Sequence, residues 1–344
     1  MKSMALTGIR KVEMINEPDP VLLKEDDVLI SVSHMGVCGS DIHQYNTGSI
    51  GGHQVEYPFV LGHEGSGIIV DTGTGVKGLE KGQRIAIEPA MPCLTCEQCL
   101  AGRPHTCLNM SFLGSPGQAP GLLSENIVMP AHCCFPLPDH LENELALLAE
   151  PLSVSIWAAD LAKVSPGKTI GILGSGPIGM GVLLYCRHLG AEKIYVTDKL
   201  DYRHKMAKDA GAVWTGNPDK SDIVTGILEK EPDGLDMVFD CCGMQEAMDQ
   251  AIDLLKPGGM IIIVGIPEFD SWSLSTDLIR RKEICFQNVR RQNDRLQTAL
   301  DLISGGDLDM SSLITHRYPF MDAGKAFDLV SRYDDAVMKA IVKF

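Results

Sequence analysis

A chain of 344 residues with 44% hydrophobic and 22% charged residues has the balance of a globular protein and the length for about two domains. Its formal charge of −15 argues against nucleic acid and anionic membrane surfaces as partners, since both attract basic patches. The opening "MKSMALTGIRKVEMINEP" lacks the apolar core of an export signal, and no uninterrupted apolar run approaches about eighteen residues, so the expectation is a cytoplasmic protein.

Up to about Pro138, short β-branched runs such as "VLISVSHMGV", "GSGIIVDTG" and "QRIAIEPA" alternate with glycine and proline, which predicts a β-rich domain. Near "LENELALLAEPLSVSIWAADLA" the period lengthens towards 3.6, and a helix is expected. After "VSPGKT" come a strand "TIGILGSG", a helix "PIGMGVLLYCRHLG", a strand "KIYVTD" and a helix "DYRHKMAKDAG". A strand "DMVFDCCG", a helix "QEAMDQAIDLLKPGG" and a strand "MIIIVGIP" continue the alternation. Such alternation predicts right-handed βαβ units and a parallel sheet. The chain closes with a helix "MDAGKAFDLVSRY" and a strand "AVMKAIVKF". The expected organisation is an α/β domain, 152–285, inserted between two parts of a β-rich domain, 1–151 and 286–344.

"GILGSGPIGMG" places G-x-G-x-x-G at Gly174, Gly176 and Gly179, after a strand and opening a helix. Gly174 permits the tight turn, Gly176 lets pyrophosphate approach the backbone, and Gly179 allows close helix–strand packing. The intervening Pro177 and Ile178 start the helix, whose free N–H groups face the phosphates. Asp198 ends the next strand, where a carboxylate accepts the ribose hydroxyls of NAD and repels the 2′-phosphate of NADP. Lys199 and Arg203 nearby leave some use of NADP open. Val264, Gly265 and Ile266 fit either a nicotinamide-lining strand end or a plain buried one.

Eleven cysteines in a long chain without an export signal read as thiols, some bound to metal. "CLTCEQCLAGRPHTC" spaces Cys93, Cys96, Cys99 and Cys107 so that neither helix nor strand would converge them, only a loop wrapped around something. Four thiolates make a closed tetrahedral zinc site, which replaces the core that a lobe spanning about 90–110 cannot build. Cys133, Cys134, Cys186, Cys241, Cys242 and Cys285 lie among apolar neighbours and are expected to be buried. Cys38, in "MGVCGSDIHQY", joins His63 and Glu64 of "VLGHEGSG" and Glu150 of "LLAEPLSV" as donors suited to a zinc that keeps one position open.

With these motifs together, the whole chain resembles the zinc-dependent medium-chain alcohol dehydrogenases, and within them the sorbitol (polyol) dehydrogenases. "GVCGSDIH", "GSIGGHQVEYPFVLGHEGSG", the four-cysteine lobe, "LAEPLSV", the glycine fingerprint with Asp198, and "LITHRYPF" carry the resemblance. Glu150 stands where the alcohol dehydrogenases have a second cysteine. The resemblance implies a GroES-like β-rich catalytic domain, a Rossmann doubly wound coenzyme domain and a homotetramer. It also implies two zinc ions per chain and NAD, with the catalytic zinc held by Cys38, His63 and either Glu64 or Glu150. Its reaction would move hydride from a secondary alcohol of a polyol to NAD, the proton leaving through Ser40 and His43. A phosphorylated or acidic polyol, or an amino alcohol, is the alternative substrate. Arg290 of "NVRRQN" corresponds to the substrate anchor, and Phe112 and Ser115 to pocket walls. Arg291 and Gln44 depart from the polyol pattern, which has aromatic residues there; adjacent arginines also suit a phosphate or carboxylate. "NTGSIGGHQVEY" fits a mobile flap or an ordinary surface loop.

Overall fold

The computed structural model describes residues 1–344, which divide into two compact units: Met1–Glu150 with Leu296–Phe344, and Pro151–Arg295. The first is β-rich. Its main sheet has seven strands, with Asp27–Gly36 paired to Glu64–Thr72 on one side and to Lys339–Lys343 on the other. Along Asp27–Gly36, Val28, Ile30 and Val32 point inward with the strand period of two. A register shift between Val32 and His34 then resets the alternation, so that Met35 is buried next. These residues pack with Ile69, Ile85, Met129, Phe327 and Val342 in one core.

The second unit is a six-stranded parallel sheet. Its spatial order is Trp214–Gly216, Lys193–Thr197, Thr169–Leu173, Leu235–Asp240, Leu255–Ile263 and Cys285–Asn288. Ile170, Ile172, Val196, Val238, Phe239 and Ile261 are almost wholly buried, as expected where helices cover both faces. The expected strand–helix alternation is present, with two differences. The helix Gln245–Leu254 stops before "KPGG", which lies within the following strand. Cys285–Asn288 adds a sixth strand, so the chain leaves this unit after Arg295 rather than at 286. That strand is short and sits at the sheet edge, where its residues stay partly exposed and carry no apolar run.

Edge position also overturns one expectation about thiols. Cys133, Cys134 and Cys186 are buried, but Cys285 on the edge strand and Cys242 in a loop are exposed, with Cys241 between these extremes.

At the amino ends of the strands, Asp236 accepts hydrogen bonds from the Thr169 N–H (2.9 Å), the Thr169 hydroxyl (3.0 Å) and Lys168 (3.1 Å), and pairs with Lys256. Burial pushes its carboxyl up, but Lys256, Thr169 and Lys168 outweigh that and hold it well below the usual carboxylate range. A depressed folded pKa contributes stability above the unfolded value of about 3.9, and that stability is lost as pH falls below it. Asp236→Asn is therefore expected to lower stability at pH 7 by about 1–3 kcal/mol. In urea unfolding, its gap to wild type should narrow as pH is taken from 5 towards 3; a gap independent of pH would refute the ionic origin.

Candidate metal and coenzyme sites

The reactive cluster follows from strand register. Gly36 and Glu64 are paired across the two central strands, so the turn after Gly36 delivers Cys38 beside the residues that open the Glu64–Thr72 strand. A Cβ at Gly36 would collide with the Glu64 carboxylate, which explains a glycine there. Cys38 caps the helix Gly39–Thr47 in extended conformation, and its N–H donates to Asp41 Oδ2 at 3.0 Å. One ligand atom each from Cys38, His63 and Glu64 lies within 4.8 Å of the others.

Two residues unremarked in the sequence complete the cluster. Asp41, fully buried, places Oδ1 at 3.3 Å from His63 Nδ1, the carboxylate–imidazole pairing that orients a metal-binding histidine. Lys339, 2% exposed, donates to both Glu64 oxygens at 2.8 and 2.6 Å and to the Val37 carbonyl at 3.1 Å. Asp41 stood inside the quoted motif, but its partner is far along the chain. Lys339 gave no signal beyond being a charge in an apolar strand.

The electrostatics fit a cation. Burial opposes protonation of His63, yet Asp41 and Cys38 raise its pKa well above the ordinary value. Lys339 is likewise raised against burial, by Glu64 and Cys38. The cluster thus draws positive charge to itself, and its soft thiolate, imidazole and carboxylate match zinc. Glu150 stands outside the 4.8 Å set but within electrostatic reach of it. Burial first, then the Glu64 and Glu88 carboxylates, push Glu150 up to about 8, with His63 and Lys339 opposing.

Ser40 and His43 lie three residues apart on the helix that Cys38 caps, hence on one face. Phe112 packs its ring against His63, with centroids 5.5 Å apart. Ser115 follows in the same loop, its N–H bonded to the Phe112 carbonyl. Gln44 is buried and ties this helix to that loop by donating to the Gly114 carbonyl at 2.9 Å. The glycine-rich segment beyond the helix forms a small hairpin, Ser49–Ile50 against His53–Gln54.

In the four-cysteine lobe, Sγ atoms lie 3.5 Å (Cys96–Cys99), 3.8 Å (Cys96–Cys107) and 3.4 Å (Cys93–Cys107) apart. Tetrahedral zinc with bonds of about 2.3 Å requires sulfurs about 3.8 Å apart, so the thiols stand near coordination spacing. Backbone N–H groups of Cys93, Cys96, Leu108 and Asn109 donate to these sulfurs. Hydrogen bonds from Thr95, ahead of that from Cys96, lower the Cys93 thiol to about 5, while desolvation and then Cys96 push Cys99 up to about 12.

In the second unit, Gly174 takes φ +94°, a turn an L side chain rarely adopts, and opens the twelve-residue helix Pro177–His188 with Gly176 as its N-cap. A Cβ on Gly179 would collide with the Gly174 carbonyl, whereas one on Gly176 would meet only Arg203, at 3.6 Å. Space therefore remains over the helix N-terminus for a pyrophosphate. Asp198 accepts from the Ser175 N–H (2.8 Å), the Ser175 hydroxyl (3.1 Å) and Arg203 (3.2 Å) through Oδ2, and from the Leu200 N–H (2.9 Å) through Oδ1. Val264 and Gly265 both donate their N–H groups to the Asp240 carbonyl at 2.9 Å, so their carbonyls, not their amides, are what this strand end offers a ligand. Ile266 is half-exposed. Arg290 is exposed after the edge strand, and Arg291 has left-handed backbone at φ +53°.

Residues 24–139 match the family model of the alcohol dehydrogenase GroES-like domain, and residues 177–305 that of the zinc-binding dehydrogenases. Over 343 residues the chain is 33% identical to a sorbitol dehydrogenase of Bacillus subtilis, covering 99% of this chain and 97% of that one. It is 35% identical over 318 residues to an L-idonate 5-dehydrogenase of Vitis vinifera, covering 90% and 86% respectively. Among solved structures, an Escherichia coli oxidoreductase/dehydrogenase of unknown specificity superposes with a TM-score of 0.91 at 33% identity, covering 100% of this chain and 99% of that one.

Asp41→Asn should leave the fold intact but weaken metal binding at the Cys38 cluster by about 10–100-fold. Competition with a chromophoric chelator reads this out directly; unchanged affinity would mean that Asp41 only caps its helix.

Proposed function

This chain belongs to the zinc-containing medium-chain alcohol dehydrogenase superfamily, and we propose that it oxidises a secondary hydroxyl of a sorbitol- or xylitol-like polyol to a ketose with NAD. It is a zinc-dependent alcohol or polyol dehydrogenase with a nicotinamide coenzyme, a Cys93/Cys96/Cys99/Cys107 structural cluster and a Cys38/His63/Glu64 site. The metal chemistry rests on that second cluster, three unlike donors supported by Asp41 and Lys339, and the polyol reading is supported by the 33% identity to a sorbitol dehydrogenase over 99% of this chain.

Bound zinc would supply the acidity, as when it lowers water's pKa from about 15.7 to about 7, and bound NAD would supply the hydride acceptor. The four-cysteine lobe would hold one ion, and Cys38, His63 and Glu64 the other. Asp41 keeps the His63 ring turned towards it. Ser40 takes the hydroxyl proton on its Oγ, and His43, one turn along the same helix face, takes it on its imidazole and passes it to solvent. Glu150 remains as the alternative carboxylate ligand. Phe112 supports the His63 ring and, with Ser115, forms the wall against which the substrate chain lies. Asp198 would hold the NAD ribose, and its carboxylate would disfavour the 2′-phosphate of NADP.

Arg290 anchors the hydroxyls remote from the reacting carbon. The Vitis vinifera relative is named for an acid, and the Arg290–Arg291 pair would suit a carboxylate or phosphate equally. A panel of polyols, aldonates, polyol phosphates and amino alcohols, followed by NADH production, decides between them. Neutral polyols are expected to give the highest kcat/KM; a charged substrate better by tenfold would overturn the polyol reading. Arg290→Ala should raise KM for polyols by roughly tenfold more than for simple secondary alcohols. An equal effect on both would remove its role as anchor.

A further inference from the structure

Coenzyme choice in this chain involves more than Asp198. Lys199 follows Asp198 at the carboxyl end of the Lys193–Thr197 strand, the sheet edge where open parallel sheets bind nucleotides. Its ammonium lies 3.1 Å from Asp219 and 3.3 Å from Glu246. Asp219 follows the Trp214–Gly216 strand, and Glu246 opens the helix after Leu235–Asp240. Because Thr169–Leu173 lies between Lys193–Thr197 and Leu235–Asp240, the Lys199–Glu246 pair reaches across the carboxyl end of that strand, where the chain enters the Gly174–Gly176 turn. Asn217 fixes the base of this arrangement by donating to the Lys199 carbonyl at 2.8 Å and to Asp201 at 2.8 Å.

A 2′-phosphate on the adenosine ribose needs a cation near Asp198. The candidates are Arg203, paired with Asp198, and Lys199, next to Asp198 in the chain. Arg203 is 10% exposed and commits its guanidinium to Asp198. Lys199 is half-exposed, and two carboxylates hold it. We propose that Asp219 and Glu246 are specificity-determining residues that silence Lys199, so that the 2′-phosphate of NADP meets a lysine whose charge is already neutralised. This rests on the NAD reading above and adds to it the residues that enforce it. Surface ion pairs are individually weak, so the barrier is one of several-fold in affinity rather than an absolute one.

The test is equilibrium binding of NADH and NADPH to the zinc-loaded protein, followed by nicotinamide fluorescence. Wild type should bind NADH more tightly than NADPH. In the Asp219→Asn/Glu246→Gln variant the NADPH-to-NADH affinity ratio should rise by about tenfold, each single exchange giving part of it and high salt eroding it. Adding Lys199→Gln to that variant should abolish the gain. An unchanged ratio in the double variant, with wild type preferring NADH, overturns the proposal and leaves the NAD reading standing. A gain that survives Lys199→Gln also overturns it, since lost repulsion would then suffice. A wild type preferring NADPH overturns both.

Discussion

Charge buried without a counter-charge is among the costliest arrangements in a protein, and the β-rich unit buries several charges together. Glu64 and Lys339, 1% and 2% exposed as side chains, form a pair whose disruption from one side leaves an uncompensated ion, typically at about 3–5 kcal/mol. Around them Cys38, His63 and Asp41 add a thiol, an imidazole and a carboxylate. The set is stable only as a set. Its members come from strand ends and one helix cap, the places where backbone geometry is most closely determined by register. A metal entering this cluster meets donors already brought together.

The two units solve the problem of small cores differently. The parallel sheet buries apolar residues on both faces and needs no metal. The four-cysteine lobe has almost nothing apolar inside: Leu94, Leu100 and Leu108 are exposed, and sulfur contacts hold its loop together. Zinc there does the work of a core, whereas zinc at Cys38 serves chemistry.

What could be read from the sequence was what is local. The cysteine spacing, the glycine turn and the strand–helix alternation each involve residues within about twenty positions, and their backbone demands are visible in residue type. The catalytic donors were found because cysteine, histidine and glutamate are distinctive, not because their convergence could be seen. Asp41 was overlooked although it lies three residues from Cys38, since its partner His63 comes from a separate segment, just before the Glu64–Thr72 strand. Lys339 meets Glu64 from 275 positions away, and no local pattern marks such a contact. The edge strand Cys285–Asn288 escaped for the opposite reason: its pairing with Leu255–Ile263 is in the backbone, and its side chains carry little periodic signal. The same edge position left Cys285 exposed when its neighbours suggested burial.

The strand Lys339–Lys343 pairs with Asp27–Gly36 at the centre of the main sheet, and it carries the ammonium that neutralises Glu64. During synthesis, therefore, the N-terminal donors emerge from the ribosome long before their counter-ion exists. Until Lys339–Lys343 is made, Glu64 lacks this counter-ion and Asp27–Gly36 lacks one of its partner strands. The α/β unit, being continuous in sequence, can be complete by then. In a growing chain the place for coenzyme is therefore synthesised before the reactive centre is complete, because that centre waits on Lys339.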